Sequence, residues 1–356
     1  MPQTENNRTH IAYFISPHGF GHAARAASVM EAVHEIMPSI QFEIFTKVPE
    51  WFFEQSLTGL FTCHDVLTDI GLVQITPLSE DLPGTLQCLN EFLPFDNKQI
   101  TRLAKLVNRT KCELIICDIA PMGIEVAKTA GIPSLLIENF TWDWIYRGYV
   151  HPDFPVDHHI HYLKKVFDSA DYHIQTEPVC LRCTSDLTTV PVSRKARSSS
   201  RQTRQRLGIP DKTKTVLITM GGIPEKYTFF KQLAHHQDTF FIIPGNSQSK
   251  QLLGNLVLLP HHSDFYHPDL MNSCDAVIGK IGYSTLAEAY HAGVPFGYVP
   301  RPAFCESRRL EMFVRNHMEG CSITDKQFHE GCWIDILPDL LAFPVENGTL
   351  LTDRLR

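Results

Sequence analysis

No stretch of this chain approaches the roughly 18–20 consecutive apolar residues that cross a bilayer. The first ten residues, MPQTENNRTH, are polar and of mixed charge, and the first apolar run, Ile11 to Ile15, is too short for a signal-peptide core. A cytoplasmic location is the expectation. Several catalytic signatures are missing too. There is no Gly-x-x-x-x-Gly-Lys-[Ser/Thr] phosphate loop, no His-Glu-x-x-His and no Gly-x-Ser-x-Gly. P-loop phosphoryl transfer, zinc proteolysis and lipase-type hydrolysis therefore lack their residues. Positive charge is also short: the net charge of −7 argues against a generic nucleic-acid binder.

What is present is the composition of a folded enzyme, with 43% hydrophobic and 20% charged residues. At about 100–200 residues per domain, 356 residues suggest two domains, each able to bury its own core. Of the ten cysteines, only Cys180-Leu-Arg-Cys183 has metal-like spacing, and no second pair or His-x-x-x-His completes a zinc site. Without a secretory signal, a disulfide framework is not expected. The thiols are read as buried, reduced and packing as small hydrophobes. The eighteen histidines include His158-His159, His235-His236 and His261-His262. Their spacings are irregular and no carboxylates cluster with them in sequence, so they are read as surface or core residues.

Strand and helix patterns alternate along the chain. Short β-branched and aromatic runs at 10–16, 41–46, 113–118 and 133–139 read as buried strands. Helical patterns follow the first and third of them, the helix at 122–131 ending on a C-cap glycine. The pattern restarts with strands at 215–220, 239–243, 255–259, 275–279 and 294–300 and helices near 226–236, 285–293 and 306–317. This is βαβ logic, a parallel sheet covered by helices, twice over. Between the halves lies 193–206, with six basic residues and no acidic one. It reads as a solvated linker or loop that marks the boundary, and a basic stretch can also touch anionic lipid.

Chemistry-bearing residues gather at strand ends, where open α/β sheets bind ligands. Ser16-Pro-His-Gly-Phe-Gly-His22 follows the first strand. Gly19 and Gly21 allow close backbone approach, but without a third glycine a dinucleotide fingerprint is poorly supported. His18 and His22 flank them, and histidine can act as a general base near neutral pH; a tight turn with a capping histidine is the plainer reading. Gly279-Lys-Ile-Gly-Tyr-Ser-Thr-Leu-Ala-Glu288 sits at a second strand-to-helix turn. There Gly282 permits an unusual backbone angle, Ser284 and Thr285 offer hydroxyls to a diphosphate, and Glu288 can accept from ribose hydroxyls. Thr285-x-x-Glu288 is equally a capping box that needs no ligand. Glu306 opens a helix after the strand at 294–300, and Gly221-Gly222 form a further strand-end loop. In Asn139-Phe-Thr-Trp-Asp-Trp144, two tryptophans flank an acid, fit for stacking on a sugar or for a core.

Together the motifs resemble the GT-B glycosyltransferases related to the peptidoglycan N-acetylglucosaminyltransferase, and more closely the N-terminal glycosyltransferase-like domain of plant L-arabinokinases and its stand-alone bacterial relatives. The residues that carry this are His18-Gly-Phe-Gly-His22-Ala with Arg25, Asp69-Ile-Gly-Leu-Val-Gln74, Asp118-Ile-Ala-Pro121, Asn139 to Tyr146, Gly221-Gly222, Gly279 to Glu288 and Val299 to Glu306. The resemblance covers about residues 10 to 320 and implies an α/β GT-B fold, two Rossmann-like parallel-sheet domains facing a central cleft. Residues 1–192 would form the acceptor-side domain and 207–356 the nucleotide-sugar domain, its last helix packing back on the first. It implies a donor, usually UDP-linked, bound through Gly221, Gly222, Lys280, Gly282, Tyr283, Ser284, Thr285, Glu288 and Glu306. Gly19, Phe20, Gly21, Asp118, Trp142 and Asp143 would face the acceptor, with His22 and His18 catalytic.

No metal and no cofactor is expected, since helix N-termini and basic groups replace a metal in this family. The implied activity is glycosyl transfer from a nucleotide-sugar to an unidentified acceptor: a glycan, a lipid-linked compound or a small molecule. Two alternatives stay open: a nucleotide-sugar epimerase or hydrolase of the same fold, and a non-catalytic sugar-nucleotide module. Nucleic acid is not an expected partner. For 193–206 the solvated linker is the preferred reading, with contact at the inner face of the membrane as its alternative.

Overall fold

The computed structural model describes residues 8–222 and 227–343, which group into two compact units. The first runs to Val73 and resumes over Asp81–Val192; the second is Gln74–Glu80 and the described residues from Ser193 on. The fold is α/β, with one seven-stranded sheet in each unit.

In the first unit the strands are β1 (His10–Ile15), β2 (Gln41–Thr46), β3 (Leu60–Asp65), β6 (Cys112–Asp118), β7 (Ser134–Glu138), β8 (Tyr172–Thr176) and β9 (Leu187–Thr189). They lie in the order β3-β2-β1-β6-β7-β8-β9, all parallel. The central strands are apolar on both faces, as a sheet covered on both sides requires; Tyr13, Phe14 and Ile15 have no exposed surface. Helix Gly21–Ile36 lies on β1 through Ala23, Ala26, Ala27 and Met30. Three of those are alanines, which let a helix approach the sheet closely.

Between the two stretches of the first unit, β4 (Gln74–Thr76) and β5 (Ser79–Glu80) form an antiparallel pair that belongs to the second unit. That unit's strands are β10 (Lys214–Thr219), β11 (Thr239–Ser247), β12 (Gln251–Leu253), β13 (Leu256–Pro260), β14 (Ala276–Lys280), β15 (Phe296–Val299) and β16 (Gly320–Ser322). Their order is β12-β13-β11-β10-β14-β15-β16, with only β12 antiparallel. Alternate strand residues feed two cores: Leu217, Ile242, Val257 and Val277 on one face, Val216, Ile218, Phe241 and Ile278 on the other.

Two expectations meet different facts, and one, on the last helix, falls partly outside the described residues. The basic segment is not a bare loop: residues Ser200–Leu207 are helical, started by a capping box at Ser199 and stopped at Gly208. Arg194 is buried. The last described helix, Leu337–Ala342, packs into the second unit's own core through Leu337 and Leu340, while residues beyond 343 lie outside the described part. All ten cysteines are free, as read, but only Cys112, Cys117, Cys180 and Cys274 are buried, and Cys183 and Cys332 are exposed.

In the second sheet Gly279 lies opposite Thr219. A Cβ there would sit 1.8 Å from the Thr219 carbonyl oxygen, which no rotamer can relieve. Gly279→Ala should therefore cost about 3 kcal/mol or more, seen as a lower thermal midpoint; an unchanged midpoint would refute this packing.

Candidate functional site

In the first unit the carboxyl ends of β1, β6, β7 and β8 converge, and four polar side chains meet there away from water. Asp118 closes β6 and has no exposed surface. Arg25, from the first turns of helix Gly21–Ile36, is 1% exposed and grips it with two bonds: Nε to Oδ2 at 2.8 Å and Nη2 to Oδ1 at 2.6 Å. Its remaining nitrogen, Nη1, donates to Asn139 Oδ1 at 2.7 Å and Thr176 Oγ1 at 3.4 Å. Burial alone would raise the Asp118 carboxyl. The charge of Arg25, with bonds from His22 and Arg25, outweighs it and holds the acid below the ordinary carboxylate range.

His22 enters the same group. Its Nδ1 lies 3.0 Å from Asp118 Oδ1, and the ring is 9% exposed. An acid held as an anion only accepts, so the ring donates to it from Nδ1, and Nε2 is the nitrogen that faces away from the pair. Trp142 packs its edge against both His18 and His22, with ring centres 5.2 and 6.3 Å away. Trp142 is itself buried, and its Nε1 donates to Asp69 Oδ2 at 2.9 Å. Burial pushes the Asp69 carboxyl up to about 7, against the pull of Ser16, Trp142 and Gly71. Neither Asp69 Oδ1 nor Ser16 Oγ has a partner in full hydrogen-bond geometry.

Gly19 has a φ of +68°, so the turn uses its freedom. Phe20 stacks on Phe52 and meets Trp51 edge-on, which is a packing role. Gly21 starts the helix. Asp143 lies elsewhere in this unit: it lines a separate pocket with Trp144 and Arg147, and burial raises its carboxyl.

In the second unit the residues expected to hold a donor split into two groups. Glu288, one turn into helix Tyr283–Ala292, is 4% exposed and is held at both oxygens. Its Oε1 accepts from Arg194 Nε at 3.1 Å and Nη2 at 2.9 Å, and its Oε2 lies 2.6 Å from His267 Nδ1. Burial is again outweighed by these charges, which bring the acid down to about 2. The capping-box alternative is excluded, because the helix begins after Gly282 and has no side-chain cap. Gly282 itself has φ −149°, an ordinary extended angle, so the expected unusual backbone is absent. A Cβ there would meet nothing within 4 Å, so the turn borders open space. Tyr283 and Thr285 are buried, and Ser284 is half-buried. A pocket of about 300 Å³ opens beside Glu288, walled also by Arg194, Lys195, Met271 and His291.

The second group surrounds Lys280, the last residue of β14. Gly221 and Gly222, at φ +71° and +83°, form the turn after β10, and a Cβ on Gly221 would touch Lys280 Cε and Nζ at 3.5 and 3.6 Å. Lys280 makes no hydrogen bond or ion pair among the described residues, and burial with the nearby Arg301 charge brings its ammonium down to about 7 against Glu306 and Glu80. Arg301 is 4% exposed, lies over the Phe304 ring at 3.7 Å and reaches Glu80 Oε1 at 3.4 Å. Glu306 is buried in the first turn of helix Cys305–His317.

Sequence reasoning did not single out Arg194, His267 or Glu80 for the site. Their partners lie 94, 21 and 221 residues away along the chain, and no local motif marks them. Arg25 and Asp69 were visible only as parts of longer motifs.

A family description, glycosyl transferase family 1, matches residues 9–307. The L-arabinokinase of Arabidopsis thaliana is 29% identical over 338 residues, 92% of this chain and 32% of that protein. The chain thus spans about a third of the length of that curated relative. Among solved structures, the spinosyn forosaminyltransferase SpnP gives a TM-score of 0.63 at 17% identity, covering 98% of this chain and 95% of that one. MurG of Acinetobacter baumannii gives 0.53 at 14%, covering 98% of each, and a UDP-glucosyltransferase of Polygonum tinctorium 0.60 at 13%, covering 99% and 93%. At such identities the likeness is one of fold, and that fold is GT-B.

Removing one partner of the Arg25–Asp118 pair leaves a buried uncompensated charge. Arg25→Met should cost about 3–5 kcal/mol, read as a large drop in the denaturant midpoint, and a drop within error would mean the pair is not buried in solution.

Proposed function

This chain belongs to glycosyl transferase family 1, and we propose that it moves a sugar from a nucleotide-sugar donor, UDP-linked, to an acceptor hydroxyl without a metal ion. The observation that carries the reading is the His22–Asp118 contact at 3.0 Å, with Asp118 kept anionic by Arg25. Geometry of this kind suits a general base. The acceptor oxygen attacks the anomeric carbon as its proton passes to His22 Nε2. The bond from that carbon to the diphosphate oxygen breaks, and its electron pair leaves with the diphosphate. A single displacement inverts the anomeric configuration. His18, packed on the same tryptophan, would help position the acceptor.

The leaving diphosphate needs positive charge and donors. Lys280, the Gly221–Gly222 turn and the N-terminus of helix Tyr283–Ala292 are suited to supply them. Glu288 is the candidate ribose ligand, with a restriction that its contacts impose. A carboxylate oxygen accepts about two hydrogen bonds. Both bonds that Arg194 gives to Glu288 go to Oε1, and His267 takes one place on Oε2. One ribose hydroxyl fits without disturbance; a second requires Arg194 to move. The alternative is a sugar-nucleotide module that binds without turnover.

A thermal-shift panel of UDP-, GDP-, ADP- and TDP-sugars separates them, followed by transfer assays with the donor that stabilises the protein. UDP-sugars should stabilise wild type, and Glu288→Ala should weaken that binding by ~1–3 kcal/mol. His22→Ala should keep the donor shift and lose about 10²–10⁴-fold in kcat. Transfer undiminished in His22→Ala would remove the base; no shift with any donor would remove the donor reading.

Lys280 gives a pH signature. Its ammonium titrates near 7 in the free protein, where Arg301 opposes the charge and Glu306 and Glu80 favour it. A bound diphosphate would favour the charged form and raise that value again. Binding of UDP should then take up a proton increasingly as pH rises above about 7, and little well below it. Calorimetry in buffers of different ionisation enthalpy measures the uptake, which Lys280→Gln should abolish; equal uptake in both proteins would exclude Lys280.

A further inference from the structure

The Cys180-x-x-Cys183 pair lacks a partner motif in sequence, but the fold brings other ligands to one of its cysteines. Cys183 Sγ lies 3.7 Å from His173 Nδ1. His173 Nε2, on the other side of the ring, lies 2.8 Å from Oε1 of the buried Glu138. One ligand atom from each of the three residues falls within 4.8 Å of the others. We propose that Cys183 and His173, with Glu138 holding the imidazole from its far side, form a binding site for one thiophilic divalent cation, of which Zn²⁺ is the type.

The distances suit such an ion. With metal–nitrogen and metal–sulfur bonds of about 2.0–2.1 and 2.3 Å at a tetrahedral angle, the two ligand atoms stand roughly 3.6 Å apart. In this placement His173 binds through Nδ1 and donates its Nε2–H to Glu138, which fixes the tautomer and the ring. The ligands are held before any ion arrives. Gln175 Nε2 donates to Glu138 Oε1 at 2.8 Å and to the Leu181 carbonyl at 2.9 Å, and its Oε1 accepts from the Cys183 amide at 3.3 Å. Asp186 binds the backbone of His173 from the same loop. One glutamine thus ties the cysteine-bearing loop to the strand ends that carry the other two residues.

The charge around the three residues favours a cation as well. They line a pocket of about 600 Å³ that also holds Asp143, Asp168, Asp171 and Asp186 but only Arg147 and Lys164 as bases. Lys164 is paired with Asp168, and Arg147 lies 3.9 Å from Asp143. Glu138 and Asp186 make no ion pair with lysine or arginine among the described residues. Binding is a plain exchange: the sulfur–metal bond forms as the thiol releases its proton to solvent, and no electron changes hands.

Co²⁺ titration of the full chain, stripped with a chelator and kept reduced by a phosphine, reads the site through sulfur-to-cobalt charge-transfer absorption. A band saturating at one equivalent is expected. It should persist in Cys332→Ser, which removes the other exposed thiol, and vanish in Cys183→Ser. His173→Ala and Glu138→Gln should weaken the affinity by about tenfold or more. Circular dichroism confirms that each variant is folded, and the exposed Cys183→Ser decides the question even where a buried variant is not. No sulfur-to-cobalt band, or one that survives in Cys183→Ser, overturns the proposal and leaves His173 as a simple partner of Glu138.

Discussion

The first unit turns on the grip of Arg25 on Asp118. A guanidinium 1% exposed and a carboxylate with no exposure would each be prohibitively costly alone in this interior. Together they fix four pieces of chain, because Arg25 also holds Asn139 and Thr176, the residues at the ends of β7 and β8. The bidentate fork sets the plane of the Asp118 carboxylate, and that plane sets where His22 can donate. The position of the imidazole thus follows from an ion pair that never meets solvent.

The second unit solves the same problem differently. Glu288 is also a buried carboxylate held by an arginine, but its arginine comes from the segment that enters the unit rather than from the sheet's own helices. Arg194 is pinned on its other side by the Tyr266 ring, 5.2 Å away, which it shares with Arg197. The amides of Arg197 and Ser198 then cap Asp269. The entry to the unit is therefore fastened to the very acid expected to bind a nucleoside. Lys280 is the counter-case. It has no direct partner among the described residues, and a lysine desolvated in that way answers strongly to an arriving anion.

How much of this was legible varied with the physics. Central strands such as β1, β6, β10 and β14 announced themselves, since a strand buried on both faces must be an apolar run. The edge strands β3, β9, β12 and β16 did not: LFTCHD, LTT, QLL and GCS are short or half-exposed, and half-exposed strands carry no continuous signal. β8, YHIQT, was hidden because its polar residues are the ones that serve the strand-end networks. His22 and Asp118 were each legible as strand-end residues, but their pairing spans 96 positions and only the sheet order brings them together. Arg194 was misjudged for a clear reason. A run of six basic residues without an acid reads as solvated when its acids, Glu288 and Asp269, are supplied from about 70 to 94 residues away.

A buried ion pair is a weak device for stability, since well-packed apolar residues of similar volume often do as well. What Arg25 and Asp118 provide that leucines could not is a directed, charged acceptor beside a histidine. Asp118 Oδ1 is shared, at 2.6 Å from Arg25 Nη2 and 3.0 Å from His22 Nδ1, and Arg25 Nη2 itself stands 3.5 Å from that ring nitrogen. Both groups therefore meet the acid at one oxygen, and the fork that fixes the plane of the carboxylate also fixes the line along which the ring nitrogen faces it. An apolar pair of the same volume would fill the space but leave the imidazole with no direction to hold.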